Sequence, residues 1–122
     1  MSDARKYLDL VERLREIGLM DDHELLAETT QLFLNDSAVM VEAMKDSFSK
    51  GDAGALGRAA HRLKGSALNL GVAAVAGPAR SIEEKARRSE LVDVVTAIAV
   101  IENELKCVGD FLLGLAKVGA PR

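Results

Sequence analysis

Aromatic residues are scarce in this sequence, with one tyrosine, three phenylalanines and no tryptophan among 122 residues. So few rings leave little on which to stack bases, and the basic residues never gather into a long run. Nucleic acid is therefore not an expected partner. Acidic residues outnumber basic ones by 19 to 16, for a net charge of −3. A single cysteine, Cys107, excludes an internal disulfide. It is expected to sit buried or half-buried on the last helix as a small hydrophobe. The two histidines, His23 and His61, and this cysteine lack the spacing of metal ligands, so neither a metal nor a bound cofactor is expected. No stretch approaches the roughly 18 uninterrupted apolar residues of a membrane span. The opening MSDARKYLDL also lacks a basic segment followed by an apolar one. A cytoplasmic location, away from membranes, is the expectation.

What the chain does have is aliphatic: 48% of it is apolar, mostly Leu, Ala, Val and Ile. That suffices for one core at this length, so a single domain over 1–122 is expected, with a frayed tail at about 119–122. The apolar residues recur at helical spacing throughout. Tyr7, Leu10, Val11, Leu14 and Ile17 define a short first helix closed by Gly18. Asp21 with Glu24 resembles a capping box for a second helix reaching Lys50. Leu26, Phe33, Met40 and Met44 form its core stripe, with Leu34, Ala38 and Val41 beside it. Apolar coverage this wide fits either burial on two sides or an exposed docking surface.

Asp52 is placed to cap a third helix with core positions Leu56, Ala60, Leu63, Ala67 and Leu70, ended by Gly71. The fourth carries Val75, Ala79, Ile82 and Ala86. Its start is open, because Pro78 suits a first turn or else kinks a longer helix. Ser89 is placed to cap the last helix, where Leu91, Val94, Ile98, Ile101, Leu105, Val108, Leu112 and Leu115 hold a three-four repeat. The expected fold is all-α, an antiparallel four-helix bundle with an additional short N-terminal helix, stable as a monomer.

The third helix spends glycine where alanine would be better by about 1 kcal/mol each. Gly57 and Gly65 stand four residues before and after His61, on the same helical face. His61 lies one position past core residue Ala60, about 100° around the helix, and so is expected in a clearing at the surface. Arg58, Arg62 and Lys64 surround it. A neutral imidazole is a good nucleophile near neutral pH and can accept a phosphoryl group on nitrogen. Nearby cations would steady the transferring oxygens and, by repelling a proton, keep the ring nucleophilic. An in-line displacement also needs room for the partner, which the glycines provide. The charge run Glu83-Glu84-Lys85 with Arg87-Arg88 is expected to be a solvated face with i,i+4 pairing. His23 is expected to be an ordinary solvated side chain.

The run His61-Arg62-Leu63-Lys64-Gly65-Ser66-Ala67-Leu68-Asn69-Leu70-Gly71 resembles the signature of histidine-containing phosphotransfer (HPt) domains. Phe33-Leu34-Asn35-Asp36, Gly51-Asp52-Ala53 and Ile82-Glu83 are similar to that family as well, so the likeness spans Leu8 to Leu115. Pro78 departs from it, in a helix the family keeps regular, as does Ala79, where many relatives carry cysteine. The resemblance implies that His61 is the phospho-acceptor, Lys64 the phosphate-steadying cation and Gly65 the access residue. Helix geometry adds Arg58 as a second cation, and Gly57, Arg62 and Leu68 as partner-facing. The resemblance also implies a carrier without ATP-dependent kinase activity, working with response-regulator receiver domains and a hybrid or histidine kinase. Mg²⁺ would then be supplied only by the receiver. Two other readings use the same residues: the phospho-accepting piece of a chemotaxis-type kinase, and an adaptor that binds a receiver without transfer.

Overall fold

The computed structural model describes residues 6–118, all of whose regular elements are helices; the expected fraying of 119–122 lies outside them. The helices are α1 (Leu8–Glu16), α2 (His23–Ser49), α3 (Ala53–Leu70), α4 (Ala73–Arg87) and α5 (Val94–Val118). The aliphatic spacing explains their packing. α3 lies between α2 and α4, and α5 closes the ring by packing on the same two helices. Leu26, Met44, Leu56, Leu63, Ile82, Ile101 and Leu112 meet in the middle, fully or almost fully buried. The expected α3 and α4 core positions are all buried, whereas Leu105 and Leu115 of the last helix are only partly so. No helix among the described residues is long and apolar enough to cross a membrane.

Neighbouring helices run in opposite directions where side chains fix the register. Lys64 of α3 meets Glu83 of α4 while Gly57 lies against Ala86. Lys45 of α2 pairs with Glu102 of α5 at 2.7 Å while Leu34 lies against Gly109. α1 packs on the end of α3, with Leu10 and Leu14 buried and Arg13 Nε donating to the Asn69 carbonyl at 3.2 Å. Gly71, at φ +86°, both ends α3 and admits α1, because a Cβ there would come within 2.8 Å of the Arg13 side chain.

Several expectations need correction. The cap of α2 is Asp22, not Asp21: its carboxylate accepts from the Leu25 N–H at 2.9 Å. Pro78 is interior, since α4 begins at Ala73, so this helix carries a proline beyond its first turn. Ser89 does not cap α5. It sits at φ 55° just past α4, and α5 begins only at Val94, leaving Leu91 outside it. Cys107 is exposed on α5. The second stripe of α2 faces α5, where Leu34, Ala38 and Val41 line an open groove. The exposed apolar stripe lies elsewhere on α2, at Leu25, Leu32 and Val39.

Candidate functional site

His61 emerges from the middle of α3, and its side chain is 65% exposed. Core residues Ala60 and Leu63 fix the rotation of the helix and point the ring outward, beside α4. Gly65 leaves the space next to it open, for a Cβ there would meet no atom within 4 Å. Gly57 differs from expectation. A Cβ there would press on the Ala86 methyl at 3.3 Å, so this glycine lets α3 and α4 approach closely as well as clearing the face. Between the two helices an open groove of about 450 Å³ runs from His61 past Gly57 and Gly54. Arg58, Arg62 and Arg87 stand along it, with Arg58 folded back over Gly54. Leu68 is 49% exposed, on the same side of α3 as His61.

The sequence reading missed Glu83. Far from lying on a solvated face, its side chain is only 13% exposed and joins the two key residues of α3. One carboxylate oxygen lies 2.7 Å from His61 Nδ1, and the other accepts from Lys64 Nζ at 2.6 Å. Arg87, one turn further along α4, approaches at 3.7 Å, which is the expected i,i+4 pairing. The hydrogen bond from Lys64 holds the Glu83 carboxyl below the usual glutamate range. Burial opposes this shift, and the His61 ring adds to it.

An ionised carboxylate can only accept, so Nδ1 must carry the proton. In the neutral ring Nε2 then has the free lone pair. The nearest charge to the imidazole is thus negative, not the cations alone that the sequence suggested, and Lys64 is aimed at Glu83 rather than at the ring. A signal for Glu83 was present in the sequence. It stands one position past core residue Ile82, as His61 stands one past Ala60, so two helices packed on one core bring both to one seam. No group of three or more His, Cys, Asp or Glu among the described residues is arranged to hold a metal ion.

An all-helical ring presenting an exposed, tautomer-fixed histidine beside lysine and a glycine clearing is the architecture of a phosphotransfer domain. The Hpt domain family model matches residues 28–110, and the chain belongs to that family. A solved structure, histidine-containing phosphotransfer protein B (HptB) from Pseudomonas aeruginosa PAO1, is similar at 29% identity and a TM-score of 0.76. That likeness covers 91% of this chain and 93% of HptB. No curated protein matches significantly. Membership makes this a histidine phosphotransfer protein of the phosphorelay type.

Proposed function

We propose that the chain accepts a phosphoryl group from the aspartate of one receiver domain on Nε2 of His61 and passes it to another. The observation that carries this reading is the imidazole, 65% exposed, whose Nδ1 is bound by Glu83, on a helical face that Gly65 leaves open. On this reading Lys64, within the same cluster, swings from Glu83 onto the phosphoryl oxygens, and Arg58 is a second cation within reach. Gly57, Arg62, Gly65 and Leu68 meet the partner. Leu32 and Val39 of α2 extend the apolar part of that surface. The carboxylates and Mg²⁺ that catalyse transfer belong to the receiver, and the chain, a monomeric antiparallel four-helix bundle with α1 added, has no kinase activity of its own. It works in the cytoplasm, between a hybrid or histidine kinase and its receivers. Transfer runs either way, its direction set by the relative free energies of the partners' phospho-states.

The test is incubation with a panel of receiver domains phosphorylated by acetyl phosphate, using the parent chain and His61→Gln. An acid-labile, base-stable phosphate on the parent alone is expected. Equal labelling of His61→Gln would remove His61 from the role.

A further inference from the structure

Glu83 binds the ring nitrogen that does not react, and this bears on what happens after His61 is phosphorylated. When Nε2 attacks, the N–P bond forms, the bond from phosphorus to the donor oxygen breaks, and Nδ1 still carries its proton. If that proton stays, cleavage of the N–P bond returns its electron pair to Nε2 and releases a neutral imidazole. If the proton has left for solvent, the same cleavage must release imidazolate, a far poorer leaving group. The occupancy of Nδ1 therefore decides whether a phosphohistidine is mobile or stored.

Resting on His61 as the acceptor, we propose that Glu83 keeps phospho-His61 a ready donor by holding the Nδ1 proton on the ring throughout the transfer cycle. The carboxylate lies 2.7 Å from Nδ1 and is largely sheltered from water, with 13% of its side chain exposed. Charged groups reach the ring's surroundings from both packed helices. Arg58, Arg62 and Lys64 come from α3, and Arg87 joins Glu83 from α4. Among these side chains the cations favour loss of the proton, and Glu83, like the anionic phosphoryl group itself, opposes them. The arrangement also couples to phosphorylation. Lys64 now neutralises Glu83 from 2.6 Å, and once drawn to the phosphoryl oxygens it leaves the carboxylate free to bind Nδ1–H more strongly.

The experiment needs no receiver. The parent, Glu83→Gln and Lys64→Met are phosphorylated with phosphoramidate, and loss of phosphohistidine to water is followed by ³¹P NMR from about pH 5 to 9. In each chain loss slows as pH rises through a midpoint. Glutamine keeps the size and one acceptor but removes the charge, so its midpoint is expected about one pH unit lower. Its phosphohistidine should then live roughly ten times longer on the alkaline side. Lys64→Met removes a cation and is expected to move the midpoint the other way, which general damage to the fold would not do. Coincident midpoints for the parent and Glu83→Gln would overturn the proposal while leaving His61 as acceptor. Equal labelling of a His61→Gln control would instead overturn the acceptor role itself.

Discussion

A side chain added at Gly65 would enter open space, whereas one added at Gly57 would push against Ala86 at 3.3 Å. The two glycines flank His61 symmetrically in sequence and serve different ends. Gly65 has no packing reason to lack a side chain, and in an exposed helix interior it costs about 1 kcal/mol relative to alanine. Gly65→Gln is therefore expected to unfold at the same or a higher temperature than the parent. Its phosphoryl transfer from a receiver should nevertheless fall by roughly tenfold or more, because the side chain holds the partner away from Nε2. A variant both more stable and equally fast would show that access is not what Gly65 provides. At this scale the spacing along α3 made His61, Lys64 and Gly65 legible, since residues three and four apart share a face in any helix. Glu83 was not legible in the same way. Its partners are 22 and 19 residues distant on another helix, and only the register between α3 and α4 brings them together.

Helix ends follow one scheme with one exception. After α1, α2 and α3 the chain turns through Gly18, Gly51 and Gly71, all at positive φ, with paired backbone hydrogen bonds closing the last turn. After α4 the same pair recurs: Ser89 N–H donates to the Ala86 carbonyl and Glu90 N–H to that of Lys85. Here the left-handed residue is Ser89, which has a Cβ. Ser89→Gly is expected to stabilise the protein by about 1 kcal/mol, read as a higher denaturant midpoint with an unchanged slope. An unchanged midpoint would mean that the turn carries no strain. Serine is a common cap at helix starts, and from sequence alone nothing said that this one stood behind α4 rather than before α5. The glycines were legible because a positive φ nearly requires them. The sequence placed the cap of α2 at Asp21, and only the backbone at the start of the helix shows that its neighbour Asp22 carries it.

Across the whole molecule, opposite seams are built differently. The α3–α4 seam bears the histidine, its carboxylate and three arginines, while the α2–α5 seam opens into a groove lined by Leu34, Ala38, Val41 and Leu105. The apolar breadth of α2 announced both burial and exposure. It did not reveal which side was which, because that depends on where α5 closes the ring. Leu32, 64% exposed, lines a groove with Ser66 and Asn69 of α3, and Val39, 68% exposed, lies two turns further along the same side of α2. Leu32→Lys and Val39→Lys are expected to leave stability within about 0.5 kcal/mol of the parent. Labelling by phosphoramidate should also be unchanged, while transfer from a receiver should need a several-fold higher receiver concentration. Unaltered transfer would remove α2 from the docking face. The all-α fold and the sharing of one α3 face by His61 and Gly65 were thus readable from periodicity, and the pairing across helices was not. That pairing has a consequence for signal fidelity. On the proposed function, the ring proton that leaves Nε2 of His61 free is dictated from α4, so a chain whose α4 has come loose loses that control of the tautomer. On that reading, readiness to accept phosphate depends on α3 and α4 staying packed together.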